Sequence, residues 1–520
     1  MSSNLLVVDV GTQSLRTSIV TKTGEVVFFK QIKYVEPYLS SREGYAEQDI
    51  DFYPDELAKA TALMKKEDPL VFASICGMVV VDFRDSSVIL DENKKPIRNA
   101  ILWLDQRVTL LHNKNFKWYE KLLFSVIGMS DTVKYNAERT AAWWLIENEP
   151  QNWSRMKYYC TFGAYFNYRI TGNLVVSSAD CVGHYPIDFA KGKWFPKGHP
   201  KYDVFGIPKN ALVPLVPVGQ VVGKVSHQFS ELSGIPEGLP VYASASDKAC
   251  ETFGNGCIDK KQASISLGTA CTIDVVDSKY SEPETFLPSY QAPYPGDFNL
   301  EVQIYRGLWM IKWYIDQFGA ADKKDAFEAG MSMEKYLDKK IKDIPPGCDG
   351  LTLQPYWGPG LKRPNAKGAI VGFGAQHTRY HIYRAIIEGV AFALREGLDE
   401  IVKKTHKRPD YLVVSGGGSD SDIILQILAD VFGIEVHKSA TPQSSTIGGA
   451  MSGFLANGTF KTPEEAVAAM VKTGYVIKPN AANVATYDKL YKKVYLKMYP
   501  SLKKIYSNVK YFTLETNGVD

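Results

Sequence analysis

Apolar positions along this chain follow two rhythms, short strand-like runs and longer stretches at helical spacing. Near the start, Leu5-Leu6-Val7-Val8 runs into Asp9, and Gly11-Thr12-Gln13-Ser14 separates it from Thr17-Ser18-Ile19-Val20. That pattern predicts a strand, a tight turn and a returning strand. Thr21-Lys22-Thr23-Gly24 then turns into Glu25-Val26-Val27-Phe28-Phe29, so three antiparallel strands open the chain. Helical character follows near residues 51–66 and 136–149, with Pro150 as a stop. Residues 191–196 read as irregular surface, and Pro236-Glu237-Gly238-Leu239-Pro240 precedes a strand over Val241 to Ser246.

The second half repeats the opening device. Ser264-Ile265-Ser266-Leu267 enters a Gly268-Thr269 turn and returns through Cys271 to Val276. A helix is expected from about Tyr380 to Lys404, with Ile382, Ile386, Val390, Leu394, Leu398 and Ile401 on one stripe. Strand 411–415, a turn through Gly416, Gly417 and Gly418, helix 421–432 and Ile434-Glu435-Val436 make a β–α–β unit, with Gly433 as the helix cap. Near the end Tyr487, Leu490, Tyr491, Val494, Tyr495 and Met498 recur at helical spacing. That helix is expected to pack on its own domain rather than on a membrane surface.

Chemistry enters at the turns. Gly11 lets a polyanion approach the backbone, and successive turn N–H groups can form an anion-binding nest. Asp9, at a strand end, is placed to hold hydrated Mg²⁺ beside phosphates. Two such hairpins, about half the chain apart, suggest a nucleotide held in a cleft between two related halves. Between them Asp247 ends the small-residue stretch Ala243-Ser244-Ala245-Ser246. His377 and His381 have the spacing of a helical metal pair but no acidic third ligand, so a capping or surface role is expected. No Walker A or Rossmann glycine motif is present.

Composition narrows the class. A chain of 520 residues has room for two or more domains, and 45% hydrophobic with 22% charged residues is ordinary for a globular protein. The net charge of +3 is dispersed and gives no reason to expect nucleic acid. No apolar run approaches the roughly 20 residues of a membrane span, and no signal peptide precedes the first strand. Seven scattered cysteines without a Cys-x-x-Cys fit a reduced, cytoplasmic setting.

Four of these stretches together, in this order, resemble the FGGY family of carbohydrate kinases, within the larger group that includes hexokinase and actin. They are Asp9 to Arg16, Ala243 to Glu251, Ser264 to Val276 and Tyr411 to Asp422. Ile101-Leu102-Trp103-Leu104-Asp105-Gln106-Arg107 and Arg384-Ala385-Ile386-Ile387-Glu388-Gly389-Val390 add to the likeness. The resemblance implies two ribonuclease-H-like α/β domains around an ATP- and sugar-binding cleft. Residues 1–250 would carry the sugar, the first phosphate loop and the catalytic acid. Residues 251–455 would carry the second loop and the adenosine site, and 456–520 a helical extension.

By the same resemblance, Asp247 is the general base and Asp9 holds Mg²⁺, mostly through water. Gly11, Thr12, Gln13 and Arg16 form the first phosphate loop, and Gly268 and Thr269 the second. Gly416, Gly417, Gly418 and Ser421 form the wall against adenine. Arg84, Asp85, Trp103 and Tyr135 match the polyol grip of glycerol kinases, with Asp247 completing it. A guanidinium donates and a carboxylate accepts hydrogen bonds from vicinal hydroxyls, while an indole covers the carbon face.

Departures from the family pattern leave the substrate open. Phe83 replaces a common glutamine, Ser246 a glycine, and Lys248 follows the acid. Thr272 stands where glycerol kinases place an aromatic residue, which suggests a larger or more polar substrate than glycerol. The pentulose-kinase pattern around residues 80–85 is also absent. The expected function is ATP-dependent phosphorylation of a sugar or polyol, with glycerol kinase and a non-enzymatic actin-like nucleotide switch as alternatives. A homodimer is compatible with this reading.

Overall fold

The computed structural model describes residues 3–109, 116–126, 128–284, 287–357, 363, 365–440 and 443–516. Its frame is two mixed sheets of one plan. The first runs Val221–Lys224, Pro240–Tyr242, Ile75–Asp82, Asn4–Val10, Ser14–Val20, Val26–Lys33. The second runs Thr473–Ile477, Glu435–Ser439, Tyr411–Ser415, Gln262–Leu267, Cys271–Asp277, Phe298–Ile304, with Tyr290–Gln291 at its edge. In each sheet an antiparallel hairpin and its third strand lie to one side, and parallel strands closed by an antiparallel edge strand to the other. Asn4–Val10 and Cys271–Asp277 are buried along their whole length, as strands covered on both faces should be.

This plan gathers the chemistry. Gly11 follows Asn4–Val10, Arg84 follows Ile75–Asp82, Gly268 follows Gln262–Leu267 and Gly416 follows Tyr411–Ser415. Those are the carboxyl ends of mutually parallel strands within each sheet, where open α/β sheets leave room for ligands.

The expected long helix is Arg379–Thr405, and Ile386, Val390, Leu394, Leu398 and Ile401 are buried against the second sheet while Ile382 is partly buried. Tyr487, Tyr491 and Tyr495 join the same core, around Phe392. His377 and His381 serve the start of this helix: His381 completes a capping box with Thr378. Among the described residues no helix is long and apolar enough to cross a membrane.

Several local expectations are corrected. The 136–149 stretch is two helices, Ser130–Glu138 and Ala141–Asn148, broken at Arg139 and Thr140. Pro150 does close the second, but it also opens Pro150–Arg155, because a missing N–H is harmless in a first turn. Lys193–Trp194 is not irregular; it pairs with Ile187–Asp188. The strand before Asp247 ends at Tyr242. The 421–432 helix begins at Asp422, with Ser421 as its cap, and the segment after residue 456 includes the strand Thr473–Ile477 as well as helices.

Two short helices bridge the halves. In Ser444–Ala456, added β-carbons would sit 2.6 Å from Val81 at Gly449 and 2.6 Å from Val79 at Gly453, so this helix lies on the first sheet. It also interlocks with Asp247–Gly254: a β-carbon at Gly448 would lie 1.8 Å from the Cys250 carbonyl oxygen, and one at Gly254 1.8 Å from that of Ser444. Backbone meets backbone, so nothing flexible can give way. Gly448→Ala should therefore destabilise by about 3 kcal/mol or more, at the upper end of overpacking, measured as a lower denaturation midpoint. An unchanged midpoint would mean that the helices can move apart freely.

Candidate active site

The first hairpin pairs Asp9 with Arg16 and Val10 with Leu15, which leaves Gly11, Thr12 and Gln13 in the turn. The Gly11 amide donates to the Ser14 carbonyl at 3.0 Å. In the second, Leu267 pairs with Cys271 and the Gly268 amide donates to the Ala270 carbonyl at 3.2 Å. This second turn is braced from outside, since Leu308 and Trp309 amides donate to the Gly268 and Thr269 carbonyls at 3.1 and 3.2 Å. Gln13 and Thr269 are exposed at the turn tips.

Beside the first turn lies a cavity of about 240 Å³, lined by Asp9, Gly11, Arg16, Asp247, Lys248 and Gly416 together with Glu251 and four serines. Asp9 is buried, and its Oδ2 accepts from Ser445 Oγ at 2.9 Å and from Arg16 Nη1 at 3.3 Å. Burial pushes its carboxyl above the ordinary range, and Arg16 and Ser445 partly oppose that. Asp247 is the first residue of its helix; its Oδ1 accepts from the Lys248 amide at 2.8 Å. Burial raises Asp247 too, against the pull of Arg84 and Lys248. A carboxylate held this way is more basic than a free aspartate.

Arg84 and Asp85 leave the first sheet already partnered. Arg84 makes a two-pronged ion pair with Glu301 of the second sheet, both contacts at 3.1 Å. Tyr290 donates to the same glutamate at 2.7 Å. Asp85, at a positive φ of 56°, accepts from the His184 amide at 2.9 Å and meets His184 Nδ1 at 2.7 Å. Gly183 must be glycine there, because a β-carbon would sit 2.2 Å from Asp85 Oδ1. Trp103 is 46% exposed and donates its Nε1–H to Thr12 Oγ1 at 2.9 Å, tying it to the first hairpin turn. Tyr135 is half-buried under the Arg139 guanidinium, 3.7 Å from its ring centre.

The three glycines divide their work. Gly416 has φ 83° and would strike Leu267, and Gly418 would strike Leu308. Gly417 has nothing within 4 Å of an added β-carbon, so a flat base has room there. Ser421 caps the following helix by accepting from the Ile424 amide at 3.2 Å. Thr272 is fully buried next to Asp274, and Phe83 packs with Tyr53 and Phe162.

The sequence reading missed Glu301, His184 and Ser445. Glu301 had a usable signal: Leu300, Val302 and Ile304 are buried, and the alternate positions Glu301, Gln303 and Tyr305 share the other face. Ser445 and His184 act on partners 436 and 99 residues away, which no local pattern reveals.

Two ribonuclease-H-like halves around one polar cavity define the actin- and hexokinase-like class of protein. Within it, the chain matches the model for the FGGY family of carbohydrate kinases, N-terminal domain, over residues 4–254 and the C-terminal domain over 263–457. The chain belongs to this family and is a carbohydrate kinase. It is similar to the xylulose kinase of Lactococcus lactis, at 26% identity over 508 residues covering 96% of this chain and 97% of the relative. The gluconokinase of Bacillus licheniformis is 24% identical over 511 residues, covering 94% of each. In three dimensions the xylulose kinase of Rhodospirillum rubrum superposes with a TM-score of 0.83 at 24% identity, over 97% of this chain and 100% of that one.

Proposed function

We propose that this kinase transfers the γ-phosphoryl group of ATP to a hydroxyl of a sugar, sugar acid or polyol, with Asp247 as general base. The observation that carries the reading is the single cavity onto which Asp9, Asp247, Gly11 and Gly416 all open. Residues 1–250 act as the sugar half, 251–455 as the nucleotide half, and 456–520 as an extension of the latter. Asp247 takes the hydroxyl proton as the new P–O bond forms. The turn amides of Gly11 to Gln13 and of Gly268 and Thr269 hold the phosphates, Arg16 adds charge, and Gly417 offers the flat surface for adenine beside Gly416, Gly418 and Ser421.

Asp9 fits a hydrated Mg²⁺, because a hard carboxylate oxygen faces the cavity while no cluster of three or more acidic, histidine or cysteine ligands is present among the described residues to replace its water. Bound there, the ion would neutralise phosphate charge.

On the sugar side stand Arg84, Asp85, Trp103 and Tyr135, and Arg84 meets Glu301 from across the cleft. A hydroxyl-rich chain suits that set better than glycerol does, since the second half adds the Glu301 carboxylate to it. Relatives named for xylulose and gluconate support trying a ketopentose and a sugar acid first. The test is ATP consumption across a panel of ketoses, polyols and sugar acids. We expect one group of related compounds to stimulate ADP release well above the basal rate; no stimulation by any compound would overturn the reading.

A further inference from the structure

We propose that Lys248 is a further catalytic residue, whose ammonium contacts the phosphoryl group during transfer beside the base on the preceding position. The inference rests on the kinase reading above. Lys248 is the second residue of the helix Asp247–Gly254, and its side chain crosses from the first half to the second. Its Nζ donates to Ser266 Oγ and to Glu251 Oε2, both at 2.8 Å. Ser266 lies two residues before Gly268, at the root of the second phosphate turn. An ammonium has three donors, so one is left over after those two bonds.

Charge in the cavity points the same way. Its lining carries three acids, Asp9, Asp247 and Glu251, and two bases, Arg16 and Lys248, which leaves one net negative charge before any polyanion enters. Arg16 is committed to Asp9 and its side chain is 40% exposed, whereas that of Lys248 is 21% exposed. Burial alone would pull the lysine down, but Glu251 and Asp247 hold it above its ordinary range, so it stays charged. Glu251 is itself anchored, accepting from Ser415 Oγ at 2.7 Å. A fixed cation in a partly dry site is worth most where charge develops in the transition state.

The step balances without any covalent role for Lys248. The acceptor hydroxyl oxygen bonds to phosphorus, the bond to the ADP oxygen breaks, and the hydroxyl proton passes to Asp247. Lys248 remains protonated and offsets charge on the phosphoryl oxygens.

A purely structural Lys248–Glu251 pair makes a different prediction, and two variants separate them. Lys248→Met should lower kcat by about 10²–10³-fold and change KM for the sugar little. Lys248→Met with Glu251→Gln removes the stranded carboxylate, so the protein should keep its wild-type denaturation midpoint while kcat stays equally low. Recovery of kcat to within about threefold of wild type in the double variant, or no loss in the single one, would overturn the proposal. Wild-type turnover in the same assay keeps this test apart from the kinase reading: an inactive wild type refutes that reading, and an active wild type with an active Lys248→Met refutes this inference.

Discussion

Asp247→Asn should lose about 10²–10⁴-fold in kcat, the usual worth of a positioned general base. The amide keeps the size of the side chain and can still accept from the Lys248 amide, so the start of its helix is retained. What it cannot do is take a proton. Binding of a non-hydrolysable ATP analogue should persist, because neither hairpin turn is touched. The pH profile gives an independent sign. The base must be ionised to act, and burial raises its pKa, so wild-type activity should fall on the acid side at a pH above the ordinary aspartate value of about 3.9. The variant's residual activity should lack that limb. Near-normal turnover, or an unchanged acid limb, would remove Asp247 as the base.

Asp9→Asn should give the other large effect. Asparagine keeps an oxygen that can accept from Ser445 and Arg16, so the buried strand end keeps its partners. It removes the negative charge that would attract Mg²⁺. We expect kcat/KM for MgATP to drop by about 10²–10³-fold, corresponding to several kcal/mol of metal-borne charge stabilisation. The Mg²⁺ concentration needed for half-maximal rate should rise as well. Wild-type and variant proteins with the same Mg²⁺ dependence would make Asp9 a structural acid.

Much of this site could be read in the chain because its parts lie in short runs. Leu5 to Val20 and Ser264 to Val276 each hold a strand, a glycine turn and a return within a few residues, and the paired registers fall where the pattern placed them. The long helix of 27 residues carries an apolar stripe from Ile382 to Ile401, which few alternatives can mimic. Asp247 was legible through the small residues before it.

What stayed hidden depends on distance or on absent side chains. Helix Ser444–Ala456 reads poorly as a helix because it is rich in serine and glycine, yet those glycines let it lie against Val79, Val81 and Cys250. The Arg84–Glu301 pair joins positions 217 residues apart, and only folding of both sheets brings them together. It also changes the meaning of Arg84. In the proposed reading a substrate hydroxyl would share that guanidinium with a carboxylate from the opposite half, so binding the sugar would engage both sides of the cleft. The Pro150 stop held, and the same proline also opens the next helix, because a missing N–H is harmless in a first turn.

The most direct test of the whole account is phosphorus-31 NMR of the wild-type protein with MgATP and the most stimulating compound of the panel. The account predicts a phosphomonoester signal that grows in step with ADP, one for one, and that depends on the added compound. Release of inorganic phosphate alone, or ADP formation at the same rate without the compound, would contradict it.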